Sequence, residues 1–231
     1  MRLTLAIWRL RSVGAYDDQA PGVTTPMRWL WNRFLRRHRA DVRGRGLELG
    51  DARMIAALGG ERMTSCEVLD IAPGADVHHV ADLAAAWALP DEAFDVFLNQ
   101  FTIHLIADDR AALWHSLRVL RPGGTLLVNF PCAGTAPPSG ATYGAEHSMV
   151  WRWYTVPHVR AMLVELGIDS AHAAIEPLGG AAAIAAYLLG VPVEAMSRRT
   201  IEAVDEDAPL LIGARVTKPA SWAPRWSPTR P

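Results

Sequence analysis

The chain has 231 residues, half of them hydrophobic, a length and composition suited to one α/β domain with added segments. Its formal net charge of −1 leaves no global field to argue for nucleic acid or an anionic membrane surface. Two cysteines far apart in sequence, Cys66 and Cys132, suggest no disulfide framework, and the longest apolar run, 181–189, falls well short of the roughly 20 residues a membrane span needs. The expectation is a soluble cytoplasmic protein with neither a membrane nor a nucleic acid as partner.

Residues 1–23 carry no clear pattern and read as a loosely packed arm. A helix over 27–39 follows, with Thr25 as N-cap and Pro26 at its first position. Met27, Leu30, Trp31, Phe34, Leu35 and His38 form its apolar stripe, and five arginines between 28 and 39 form a basic face that reads as solvated. From Gly46 onward, short apolar runs near 46–49, 66–71, 77–80, 93–98 and 125–130 alternate with helical patterns, the signature of a parallel sheet with crossover helices. Asp108 and Asp109 open a helix that carries Leu113, Leu117 and Leu120, and Pro122-Gly123-Gly124 stops it. Residues 133–154 read as a long loop and lid, Thr155 caps the next helix, and 171–176 reads as a strand. A helical insertion over 178–207 includes the Ala-rich helix 181–189. A final strand at 209–217 precedes a Pro/Trp-rich tail, 218–231, expected to be disordered. The division expected is therefore an N-terminal arm and cap helix (1–40), one α/β domain (41–217) and the tail.

An open α/β sheet binds its ligand beyond the carboxyl ends of its strands, where strand order reverses. The first strand ends in Glu48-Leu49-Gly50-Asp51, whose glycine lets backbone approach a ligand closely. Twenty residues on, the second ends in Asp70, at the spacing of a carboxylate that accepts from both hydroxyls of a ribose. Asp82 follows the third strand, placed to accept from an adenine amino group. Each carboxylate alone is more often a turn or cap residue; three in this order at successive strand ends point to a nucleoside.

These residues resemble the class I S-adenosylmethionine-dependent methyltransferases in the version called methyltransferase type 11. The resemblance covers about residues 40–130 and runs through Gly46-Leu47-Glu48-Leu49-Gly50, Val68-Leu69-Asp70-Ile71, Ala81-Asp82-Leu83, Phe94-Asp95-Val96 and Leu120-Arg121-Pro122-Gly123-Gly124. More distantly, the Thr-Pro helix and the Ala-rich insertion are similar to a small bacterial subgroup, some of whose members sit among genes for sugar and natural-product assembly. The resemblance implies a Rossmann-like seven-stranded sheet, mostly parallel with an antiparallel last strand, and helices on both faces. It also implies S-adenosylmethionine lying across Glu48, Gly50, Asp51, Asp70, Ile71, Asp82, Leu83 and the backbone around Asn99 and Gln100. One departure stands out: the family's glycine-rich turn has Ala52 and Met54 in place of its second and third glycines.

Methyl transfer to a hydroxyl needs a nucleophile held in line and a group to take its proton, a task that suits histidine. His104, just beyond the fourth strand, and His147, in the lid, are the candidate bases. Trp31, Trp151, Trp153 and Tyr154 are the candidate lining of an acceptor pocket. No cluster has metal-ligand spacing, so no metal is expected. Asn99-Gln100-Phe101-Thr102 lacks the Pro-Pro-aromatic turn of amide- and base-methylating relatives, which leaves a small-molecule acceptor, oxygen favoured. The rival reading is a cofactor-binding protein that catalyses no methylation or serves as an inactive partner subunit. A homodimer is compatible with the sequence, which does not specify oligomeric state.

Overall fold

In the computed structural model, residues 24–133 and 150–230 are described. The first element is the amphipathic helix α1 (Pro26–Arg37), where Thr25 Oγ1 accepts from the Arg28 N–H and caps the first turn. The sheet then begins with β1 (Gly44–Leu49), followed by the short helix α2 (Arg53–Gly59), β2 (Met63–Asp70), the two-residue β3 (His79–Val80) and β4 (Phe94–Asn99). Helix α3 (Asp109–Arg118), capped by Asp108, leads into the long β5 (Leu120–Pro131). The remainder is α4 (Val156–Glu165), β6 (Ala173–Leu178), α5 (Ala181–Leu188), α6 (Arg198–Glu202) and β7 (Leu211–Thr217).

The seven strands are ordered β3-β2-β1-β4-β5-β7-β6. Strands β1 to β5 pair in parallel, and β7 runs antiparallel to both β5 and β6. The fold class expected from the sequence is the one observed. Central strands with both faces covered must be apolar throughout, and Val96, Phe97 and Leu98 of β4 are fully buried. One core joins α3 and α4 to the sheet around Leu47, Phe97, Leu113, Leu126 and Leu163; the other joins α1 and the helical insertion to the opposite face around Trp31, Phe34, Val96, Leu98 and Leu127. Strand order reverses between β1 and β4, so the crevice that such a sheet offers opens beyond their carboxyl ends.

Helix α1 packs its stripe as the periodicity requires. Phe34 stacks on Trp31 and lies so close to β7 that a Cβ on Gly213 would meet its ring at 2.7 Å. Part of the basic face is paired rather than simply solvated: Arg33 bonds Glu202 of α6, and Arg37 and His38 both bond Glu176 of β6.

Two expectations change. Strand β5 reaches back to Leu120, through the Pro-Gly-Gly turn, because Leu120 already pairs with Phe94. The tail is docked rather than disordered. Lys218 is buried, its Nζ donating to the carbonyls of Leu120 (2.7 Å) and Arg118 (3.3 Å) and lying over the Trp222 ring. Trp222 Nε1 donates to the Leu166 carbonyl at 2.7 Å, and the Arg225 N–H to that of Glu165. Composition says that a Pro-rich segment cannot build a core of its own; it does not say whether tryptophans will anchor it to someone else's. No helix among the described residues is long and apolar enough to cross a membrane.

Candidate cofactor and acceptor site

The carboxyl end of β1 is built around a buried carboxylate. Glu48 is fully excluded from solvent, and its Oε2 accepts from the Ile55 N–H at 2.8 Å. That bond explains how α2 starts. Its N-cap, Ala52, has no side chain to offer, so the strand glutamate reaches over and satisfies the third N–H of the helix. Asp51 supplies a second local acceptor, taking the Arg53 N–H on Oδ1 and pairing through Oδ2 with the Arg53 guanidinium. Glu48 and Asp51 therefore cap the start of α2 in place of an N-cap side chain. Gly50 sits at φ +80°, in the left-handed region, and a Cβ built there would meet nothing within 4 Å among the described residues, none of which fills the space over the end of β1.

Glu48 has a further partner. Gln100, just past β4, donates from Nε2 to Glu48 Oε1 at 2.8 Å, and its own Oε1 accepts from Trp31 Nε1 of α1 at 3.0 Å. Burial pushes the Glu48 carboxyl up to about 8, the Asp51 charge adding to the rise, against the pull of the Ile55 N–H and, after it, of Gln100. Trp31 is accordingly no pocket-lining residue: it is fully buried, stacked on Phe34 and spent on Gln100.

Asp70 and Asp82 are open by contrast. Asp70 Oδ1 accepts from the Ala72 N–H and Asp82 Oδ1 from the Ala84 N–H, each at 2.9 Å and each within its own turn. The second oxygen of each has no partner among the described residues. Ile71 beside Asp70 is half exposed, whereas Leu83 beside Asp82 is buried. The ribose- and adenine-facing carboxylates expected from the sequence thus stand at the same sheet edge as Gly50, on successive strand ends.

At the end of β4, Asn99 is fully buried and neither end of its side-chain amide has a partner among the described residues. Phe101, at φ +52°, turns the chain sharply, and its N–H is caught by Asn129 Oδ1 of β5. His104 follows on a 3-10 turn, Ile103–Leu105, its ring stacked on Trp153 with centroids 5.9 Å apart and its Nδ1 buried with no partner among the described residues. Burial pushes its pKa down to about 4, so the imidazole is neutral at any ordinary pH.

Residues 151–154, the last of the expected lid, are sewn onto this turn. The Trp151 N–H donates to the His104 carbonyl, and Arg152 bonds both the Asp109 carboxylate and the Ala107 carbonyl. Tyr154 is buried too, its hydroxyl donating to Asp109 at 2.9 Å, so it belongs to the support of the turn and not to a ligand surface. Trp151 and Trp153 remain exposed. His147 and the body of the expected lid lie outside the described residues.

The comparisons agree with this geometry at the level of fold. The family model for the methyltransferase domain matches residues 51–128. Among solved structures, an S-adenosylmethionine-dependent methyltransferase from Mesorhizobium loti is 18% identical at a TM-score of 0.50, over 84% of this chain and 98% of that one. A chain of the complex between the Haloferax volcanii Trm112 methyltransferase activator and a methyltransferase is 14% identical at a TM-score of 0.52, over 83% and 92%. A protein from Bordetella parapertussis is 16% identical at a TM-score of 0.52, over 94% and 79%. No curated protein matches the chain.

Proposed function

Because the chain carries the class I S-adenosylmethionine-dependent methyltransferase fold, we propose that it binds S-adenosylmethionine and methylates a small-molecule acceptor, with oxygen favoured. The observation that carries this reading is the combination at one sheet edge of space over Gly50 that no described residue fills with Asp70 and Asp82, each presenting a carboxylate oxygen without a partner among the described residues. The bound cofactor supplies an electrophilic methyl group on a sulfonium sulfur. Asp70 accepts from the ribose hydroxyls, Asp82 from the adenine amino group, and Ile71 offers apolar surface beside them. Asp51 and the backbone at Asn99 and Gln100 border the amino-acid end.

His104 is the residue we assign to the acceptor proton, with the exposed Trp151 and Trp153 as the acceptor shelf. A neutral imidazole of such low proton affinity is a weak base, best matched to acceptors that part with their proton readily, such as a phenol or enol, rather than to an ordinary alcohol. His104→Ala should lower the single-turnover rate about a hundredfold, toward the low end for a positioned base, without weakening cofactor affinity.

The test is calorimetry with S-adenosylhomocysteine, followed by incubation with methyl-labelled donor and a panel of phenolic, enolic, alcoholic and amine acceptors. Absence of binding would end the methyltransferase reading. Binding without transfer to any acceptor would favour the alternative, a cofactor-binding protein that is not a methylating enzyme.

A further inference from the structure

The bonded path from Trp31 through Gln100 to Glu48 joins an element of the N-terminal region to the end of β1. It spans 69 and then 52 positions of sequence. Its chemistry permits one arrangement. The indole N–H can only donate, so the end of the Gln100 amide that meets it must be the oxygen; the NH2 end, which also can only donate, must then face Glu48. Reversing the amide would set donor against donor at Trp31. Glu48 therefore meets hydrogen-bond donors on both oxygens, from Gln100 Nε2 and from the Ile55 N–H at the start of α2.

We propose that Trp31 and Gln100 are positioning residues for cofactor binding, in which α1, through the fixed Gln100 amide, orients Glu48 and favours its ionised form toward the cationic amino-acid end of the cofactor. This rests on the methyltransferase reading above. The groups facing Glu48 are few. Asp51 in the turn opposes its charge, Arg53 of α2 attracts it from an exposed position, and Cys66 of β2 is itself pushed up by burial and by Glu48. From α1 only the Trp31–Gln100 link is bonded toward it. Burial favours the protonated form of Glu48 and the fixed donors favour the ionised one, so removing a donor displaces its titration upward. The fully buried Trp31 has no solvent-side alternative that would let Gln100 turn without losing a bond.

The variants are Trp31→Phe, which keeps the ring and deletes the N–H, and Gln100→Leu, which deletes both bonds. In the free protein, the carboxylate titration of Glu48 is followed by NMR with labelled glutamate. Its midpoint should rise by about one pH unit in Gln100→Leu, the equivalent of one modest hydrogen bond to a charged group, and by a smaller amount in Trp31→Phe, which keeps the Gln100 donor and only frees its amide to turn. The affinity for S-adenosylhomocysteine is measured by calorimetry between pH 6 and 9. Wild type should tighten as Glu48 ionises; Gln100→Leu should bind about tenfold more weakly at pH 7 and Trp31→Phe by a smaller factor, each with its curve displaced to higher pH and the gap closing by pH 9. An unchanged Glu48 titration in both variants overturns the proposal whether or not any cofactor binds. So does a uniform loss of affinity at every pH, which would leave Trp31 as packing alone. Wild type that titrates as described but binds no S-adenosylhomocysteine would instead overturn the methyltransferase reading.

Discussion

Glu48 and Asp70 sit near the ends of neighbouring parallel strands, but the protein treats them in opposite ways. Glu48 is sealed from solvent and bonded to α2 on one oxygen and to Gln100 on the other. Asp70 stands at the rim, with one oxygen on its own turn at Ala72 and the other unpartnered among the described residues. One carboxylate is part of the scaffold that also forms the site; the other is presented by the scaffold and contributes little to it. A ligand that meets both would find one end of its cleft already organised and the other still solvated, so folding and binding should separate cleanly between the two positions.

The largest effects should come from truncating each in turn. Asp70→Ala should weaken S-adenosylhomocysteine binding roughly a hundredfold to a thousandfold, the worth of two charge-assisted hydrogen bonds to hydroxyls, while the melting temperature stays within about a degree. Glu48→Ala should leave the Ile55 N–H and the Gln100 amide buried without a partner and cost about 2–4 kcal/mol of stability. For a chain of this size that is a drop of roughly 5–15 °C in Tm, and affinity falls as well. If Asp70→Ala melted as low as Glu48→Ala, the division between scaffold and rim would not hold.

A smaller effect sharpens the same contrast through pH. The Glu48 carboxyl is raised in the folded protein from its ordinary value near 4.5 to about 8. Between those values the folded state holds a proton that the unfolded chain releases, so the contribution to stability is full below about 4.5. It falls steadily as pH rises and is gone once pH passes about 8. His104 works from the other side. Its pKa is lowered from 6.5 to about 4, so its contribution is full above 6.5 and is lost as pH falls toward 4. Chemical denaturation of wild type should show stability declining between pH 6 and 8.5, and Glu48→Gln, whatever its fixed cost, should lack that decline. An equal slope in the variant would assign the decline to other groups.

How much of this was legible in the sequence follows from distance along the chain. The strands and the carboxylates at their ends were readable because each is set by a local pattern: apolar runs and a spacing of about twenty residues. The Trp31–Gln100–Glu48 path was not, because its partners are brought together only by the packing of α1 across the sheet. Trp31 and Tyr154 show the limit most plainly. An aromatic on a helical stripe or beside a loop looks the same in sequence whether it faces a pocket or fills the core, and both are buried with their polar atoms committed. A donor-only indole in an otherwise apolar stripe was the one available signal, since a buried Trp N–H usually needs an acceptor. The tail failed for a related reason: its tryptophans and Lys218 find their partners on α3, α4 and the start of β5, which composition does not see.

The smallest effect belongs to Asp82, whose position tests whether the open rim is uniform. Like Asp70 it uses Oδ1 for its own turn, but there it caps the 3-10 segment Leu83–Ala85, so the side chain has a structural task as well as a free oxygen. A single hydrogen bond from a neutral amino group to a carboxylate is worth about 1.5–3 kcal/mol, so Asp82→Ala should weaken S-adenosylhomocysteine binding roughly tenfold to a hundredfold, less than Asp70→Ala with its two bonds, part of that through loss of the cap. Asp82→Asn separates the two contributions, because its amide oxygen can still cap Ala84 while its nitrogen, a donor, meets the adenine amino group unfavourably. If the free oxygen of Asp82 reads adenine, Asn should bind as weakly as Ala while keeping the wild-type melting temperature, and an inosine analogue that replaces the amino group with a carbonyl should recover affinity in Asn but not in wild type. Binding by Asp82→Asn equal to wild type would confine Asp82 to the turn and leave Asp70 as the one carboxylate at the rim that the cofactor uses.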